Sequence, residues 1–225
     1  VKIALIGATG RVGAETLSAA VLDGHDVHAL VRRPEAVPRH PGVSVAAVNL
    51  RDPDVLAIEF AGCDAIAVAL RSEPARRDLL SETLPVIADA ARTAGVRRVV
   101  QVGEFGAGET ARVASWRARS IYASLDRARL TDHARALEVT DRTGLEWTTL
   151  LPVKLREGAP HQVFAVMPWE DVARVPGLPM LPYANVARVV VDLATRAEHV
   201  PGPLLVTTAA GVRLTSAAAR TVTLA

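Results

Sequence analysis

Residues 2–13, KIALIGATGRVG, constrain this chain more than any other stretch, because a strand, a tight turn and a helix start follow one another with no spare residue. Ile3, Ala4, Leu5 and Ile6 are apolar without alternation, the pattern of a parallel strand covered on both faces. Gly7, Gly10 and Gly13 come next. The first permits a sharp turn, the second lets backbone N–H groups approach a pyrophosphate, and the third lets the helix lie close to the strand. Phosphates held there sit at the positive end of the helix. Val12, Leu17, Ala20 and Val21 recur at helical spacing, and Gly24 ends the run. The stretch reads as a dinucleotide-binding unit.

Behind it the pattern alternates. Short apolar runs at Val27–Val31, Val43–Val48, Asp64–Leu70, Arg98–Val102 and Trp147–Leu151 predict five more strands. Helices are expected from Pro53, over Thr83–Ala94 with Pro85 in the first turn, and over Asp126–Thr143 with Leu130, Ala134 and Leu137 inward and Gly144 as the stop. The stretch 110–125 reads as a loop or short helix over the pocket. Six strands alternating with helices, glycine turn first, predict an α/β Rossmann fold, a doubly wound parallel sheet of order 3-2-1-4-5-6. A strand near Val163–Met167, a helix over Tyr183–Arg196 and a strand at Leu204–Thr207 complete the tail. Its Pro- and Gly-rich parts, about 156–182 and 200–225, are expected to form a small C-terminal substrate lobe. A length of 225 residues, 50% of them hydrophobic, suits one domain.

The end of the second strand decides which dinucleotide is expected. An acid there would accept from the adenosine ribose 2′-OH, whereas arginine matches a 2′-phosphate. Arg32 and Arg33 stand there with no acid, and Arg11 in the glycine turn offers a third positive group for the same phosphate, so NADP(H) is expected. Residues just past the third strand would border the adenine. A formal charge of +2 gives no reason to expect nucleic acid as a partner. Cys63 is the sole cysteine, which excludes an internal disulfide and a multi-thiolate metal site, and no metal is expected. No apolar run reaches membrane-spanning length and the first residues already form a strand, so a cytoplasmic protein acting on a small-molecule substrate, as monomer or homodimer, is expected.

The turn GATGRVG, the Arg-Arg after the second strand and the stretch RTGLEWTTLLPVKLREG resemble the atypical short-chain dehydrogenase/reductase group. Within it the chain is similar to the NAD(P)H-binding, NmrA-like proteins that include biliverdin-IXβ reductase, a flavin reductase. The similarity covers roughly residues 2–155, including Ser81–Glu82 and an Asp-His pair at Asp132 and His133. The resemblance implies NADPH and hydride transfer to a planar or carbonyl acceptor, although the family also contains regulators that bind the nucleotide. It assigns Gly7, Thr9, Gly10, Arg11, Val12 and Gly13 to the pyrophosphate and 2′-phosphate, and Arg32 and Arg33 to the 2′-phosphate. It assigns Asn49 and Leu50 to adenine, Ala69, Leu70 and Arg71 to the ribose edge, and Pro152 and Val153 to the nicotinamide border. The chain departs from the wider superfamily where a serine after strand five and a Tyr-x-x-x-Lys pair are usual. Gly103 or Glu104 takes the serine position, and Asp126 stands four residues after Tyr122.

Four residues are candidates for the chemistry. Glu104 follows the fifth strand at the carboxyl edge of the sheet, next to Gly103, where open α/β proteins place ligands. Lys154 lies just past the sixth strand at the same edge, and burial could lower its pKa into a useful range. His133 titrates near neutrality, and Tyr122 could donate a hydrogen bond to a carbonyl. Trp116 and Trp169 are read as local core with stacking as the alternative. The expected function is NADPH-dependent reduction of a flavin, quinone or enone. A nucleotide-sensing regulator and a non-redox isomerase or dehydratase are the alternatives.

Overall fold

The computed structural model describes residues 1–71, 77–124, 127–140 and 142–215, and only the backbone of 122–124. Strand β1 (Lys2–Ile6) divides its side chains between two cores, as its lack of alternation requires. Ile3 and Leu5 join the layer of α1 (Arg11–Leu22) and α6 (Tyr183–Thr195), while Ala4 and Ile6 join that of α2 (Pro53–Phe60) and α3 (Leu79–Ala94). Two-sided burial leaves polar contacts to the ends of the strands.

The strands β2 (Asp26–Val31), β3 (Val43–Ala47), β4 (Ala65–Val68), β5 (Arg98–Val102) and β6 (Glu146–Pro152) run parallel to β1 in the order 3-2-1-4-5-6. The sheet then continues. β11 (Gly202–Thr207) pairs parallel with β6, and β8 (Ala165–Pro168) closes that edge antiparallel, giving eight strands. The C-terminal third is thus divided between the main sheet and its carboxyl edge. There β7 (Lys154–Arg156) pairs with β10 (Met180–Pro182), and β9 (Val172–Arg174) pairs with β12 (Arg213–Leu214). Residues 216–225 of the expected lobe lie outside the described residues.

Two helices differ from expectation for reasons remote in sequence. α3 begins at Leu79, four residues before Thr83, which puts Pro85 inside the helix instead of in its first turn. The extra turn is capped from α5 (Arg127–Thr140): Asp132 accepts hydrogen bonds from Leu80 N and Ser81 N, each at 2.9 Å, and from Ser81 Oγ at 2.6 Å. α5 itself buries Asp132, His133, Ala136 and Thr140, while Leu130, Ala134 and Leu137 are only partly covered. It ends at Thr140, and Gly144 (φ +69°) lies in the turn beyond. The expected helix start at Asp126 lies outside the described residues. A 3₁₀ helix (Gly108–Val113) and α4 (Trp116–Ser124) fill the stretch after β5.

Candidate active site at the carboxyl edge of the sheet

The glycine turn fits a phosphate cradle by geometry. Gly7 has φ +86°, and a Cβ there would lie 2.6 Å from the Ala69 carbonyl oxygen. A Cβ on Gly13 would lie 2.0 Å from the Gly7 carbonyl oxygen, so α1 sits against the turn at a distance only glycine permits. Gly10 donates its N–H to Gly7 O at 2.9 Å and occupies the N-cap position without a side-chain cap. The first turn of α1 contains no acid, which leaves its N–H groups and dipole available to an anion. Thr9, Gly10 and Arg11 are exposed, and Val12 is half-buried.

On the adenosine side, Arg32 and Arg33 are exposed directly after β2, and among the described residues neither forms an ion pair. Asn49 is exposed after β3, with Oδ1 accepting from Arg51 N at 3.2 Å, and Leu50 is half-buried against the α2–α3 core. Ala69 and Leu70 follow β4 beside Gly7, and Arg71 is exposed. Arg11 Nη1 donates to Tyr183 Oη at 3.0 Å, at the start of α6.

On the other half of the edge, Gly103 continues the pairing of β5 with β6 through its N–H to Leu150 O at 2.7 Å. A Cβ there would meet Thr149 Cγ2 at 3.0 Å and Leu150 O at 3.2 Å, so the position usual for serine is sterically tight. Glu104 follows, with Arg129 Nη2 donating to its Oε1 at 2.8 Å and His133 Nε2 lying 3.6 Å from its Oε2. Desolvation raises the Glu104 pKa against the opposing charges of Arg129 and Arg71. His133 is 3% exposed, and among the described residues neither ring nitrogen has a hydrogen-bond partner. Burial lowers its pKa to about 4, with the nearby Asp132 carboxylate opposing and Arg129 and Arg71 reinforcing the shift. Glu104 and His133 therefore stand together in a partly desolvated place, with the carboxyl pKa raised by burial and the imidazole held neutral. Sequence reasoning found both but missed Arg129, which stands among many solvated arginines with nothing in its spacing to mark it.

Pro152 and Val153 are buried at the end of β6, with Pro152 O accepting from Phe105 N at 3.2 Å. Lys154 is exposed on β7, so the burial that was to tune its ammonium group is absent. The Tyr122 side chain lies outside the described residues. Trp116, expected in local core, is 61% exposed at the start of α4, whereas Trp169 is half-buried with the Arg112 guanidinium 5.9 Å from its ring centre. A polar cleft at the opposite, amino-terminal edge of the sheet includes Asp64, Arg98, Glu146 and Arg196, and Arg98 there donates to Glu146 Oε2 at 3.1 Å.

The His133 shift has a thermodynamic consequence. In the unfolded chain the ring protonates near pH 6.5, whereas in the folded chain it stays neutral down to about pH 4. Between these values the unfolded state binds more protons, so acidification across the window costs about 3 kcal/mol of stability. Glu104 works in the opposite direction, because its raised pKa makes its contribution fall as pH rises above 4.5. Chemical denaturation between pH 7 and pH 4 should show a net loss in the native chain and a much flatter profile in His133→Leu. An equal slope in both would remove His133 as its source.

A family model described as NAD(P)H-binding matches residues 7–197. A short-chain dehydrogenase/reductase from Veillonella parvula, solved in complex with NADP, is 18% identical with TM-score 0.77, over 93% of this chain and 95% of that one. The anaerobillin reductase ChuY from Escherichia coli O157:H7 is 21% identical with TM-score 0.76, over 93% and 98%. The oxidoreductase ylbE from Lactococcus lactis is 20% identical with TM-score 0.75, over 92% and 91%. At these identities the solved structures establish the fold alone.

Proposed function

This chain belongs to the NAD(P)H-binding family, and we propose that it is an NADPH-dependent reductase acting on a small planar acceptor such as a flavin, quinone or enone. One observation carries the reading: a glycine turn leading into a helix with no acid in its first turn and the Glu104–His133 pair stand at the same sheet edge. The dinucleotide, when bound, supplies a hydride. Gly7–Gly13 hold its pyrophosphate, Arg32 and Arg33 its 2′-phosphate, and Asn49 and Leu50 border the adenine. Ala69, Leu70 and Arg71 line the ribose edge, and Gly103, Pro152 and Val153 border the nicotinamide. Glu104, at the carboxyl end of β5 beside the expected nicotinamide border, is the group placed to pass the proton that a reduced acceptor takes up, and burial raises its pKa toward that task. His133, held neutral by burial with Nε2 3.6 Å from Glu104 Oε2, keeps a second full positive charge away from the carboxyl that Arg129 already faces.

Fluorescence titration with NADPH and NADH, followed by NADPH oxidation over a panel of flavins, quinones and enones, tests the reading. Arg32→Ala is expected to weaken NADPH about tenfold and leave NADH unchanged, as loss of a charge-assisted contact requires. Glu104→Gln should keep NADPH affinity and lose about 100-fold in turnover where a proton must be donated. Equal wild-type affinity for both dinucleotides would defeat the arginine argument. Tight NADPH binding without oxidation across the panel would identify a nucleotide sensor on the same fold.

A further inference from the structure

Arg11 and Tyr183 support an inference that rests on the dinucleotide reading and deepens it. Arg11 is the first residue of α1, and its guanidinium, bonded to Tyr183 Oη at 3.0 Å, lies 5.7 Å from the centre of the Tyr183 ring. Tyr183 is the first residue of α6. α6 packs along α1 and lies across β4, β5 and β6, whereas Arg32 and Arg33 follow β2 on the other flank of β1. In a doubly wound sheet the dinucleotide crosses from one half to the other at the N-terminus of the first helix, where its pyrophosphate sits. The adenosine occupies the β1–β3 half. A guanidinium tethered to α6 is therefore held on the nicotinamide side of that crossing, beside the free N–H groups of α1.

The tether also acts before ligand arrives. An arginine side chain carries about 2 kcal/mol of rotamer freedom, and an aromatic face with a hydroxyl acceptor removes part of that cost in advance. The carboxylate of Glu157, just past β7, is a second charge facing the same guanidinium. Its loop is held in turn: Asn185 of α6 accepts from His161 N at 2.9 Å and donates to His161 O at 2.8 Å. The first turn of α6 and the 157–161 loop thus form one framed wall on that side of the glycine turn.

We propose that Tyr183 is a positioning residue that holds Arg11 over the pyrophosphate of a bound nicotinamide dinucleotide. The pair sets affinity for NADPH and NADH alike, and discrimination between them is left to Arg32 and Arg33.

Equilibrium titration with NADPH, NADH and ADP-ribose tests this on the native chain, Tyr183→Phe, Arg11→Ala, the double variant and Arg32→Ala. Tyr183→Phe keeps the ring and its packing while removing the hydroxyl. It is expected to weaken all three ligands about three- to tenfold, and Arg11→Ala about tenfold or more. The NADPH-to-NADH ratio stays constant in both and changes only in Arg32→Ala. The double variant should bind no more weakly than Arg11→Ala, because Tyr183 acts through Arg11; a merely structural role for Tyr183 would instead add its own loss. A fall confined to NADPH would assign Arg11 to the 2′-phosphate and overturn the proposal. Unchanged affinity for all three ligands would overturn it as well, by removing the pair from the site. Failure of the native chain to bind any of the three is a different result, which defeats the dinucleotide reading before any variant is compared.

Discussion

Gly13→Ala is expected to abolish dinucleotide binding and to destabilise the fold by at least about 3 kcal/mol, the scale of severe steric substitutions. The added Cβ would lie 2.0 Å from the Gly7 carbonyl oxygen and 2.7 Å from its carbonyl carbon. Both neighbours are backbone, so no side-chain rotation relieves the overlap. Either the turn from Gly7 to Gly10 opens or α1 lifts from β1, and each movement dismantles the phosphate cradle. Gly24→Ala is the comparison, because Gly24 has φ +78° with nothing within 4 Å of an added Cβ. That variant meets only the left-handed backbone penalty, about 1 kcal/mol, and should keep its affinity. Denaturant melts with NADPH titration measure both effects. A Gly13→Ala protein with native stability and native affinity would show that α1 does not need its close approach.

Asp132→Leu is expected to cost about 3 kcal/mol and to fray the first turn of α3. The carboxylate is fully buried and accepts from two backbone N–H groups and one hydroxyl. Its removal leaves the Leu80 and Ser81 amides without their cap in a desolvated place, where each orphaned donor costs on the order of 1–3 kcal/mol. Asp132→Asn retains an acceptor and should lose about half as much. Hydrogen exchange localises the effect: the Leu80 and Ser81 amides should exchange faster by a larger factor than those near Ala90. Uniform acceleration along α3 would assign the loss to packing and remove the capping role. Because α5 also presents His133 and Arg129 to Glu104, Asp132 ties the start of α3 to the helix that shapes the pocket.

The Asp132–His133 pair shows where sequence reading reaches its limit. The two residues are adjacent, yet their roles diverge over one peptide bond, Asp132 capping a helix start 51–52 residues away and His133 facing Glu104. Nothing in the heptad-scale pattern of α5 marks these polar positions as buried. Helical spacing points to Leu130 and Leu137 as its inner face, but the structure covers them only partly. The same distance explains Pro85. Read locally, proline belongs in a first turn, whereas the Asp132 cap extends α3 four residues ahead of the expected start at Thr83.

The sheet extension has a similar cause. The apolar run at Leu204–Thr207 marks a strand, but its pairing with β6 and the antiparallel return of β8 are choices between remote edges. Arg11 is the sharpest example at the site. Its charge and its position in the turn are plain in the sequence, but its hydrogen bond to Tyr183, 172 residues later, is not.

By itself the sequence determined the glycine turn, the two-sided strand before it and the order 3-2-1-4-5-6, because backbone sterics and hydrophobic periodicity act between near neighbours. Only the tertiary structure decided which way Arg11 points, what Asp132 caps and that Glu104 meets Arg129 and His133. Those outcomes depend on desolvation and on partners brought together by packing, and no local pattern of residues carries that information.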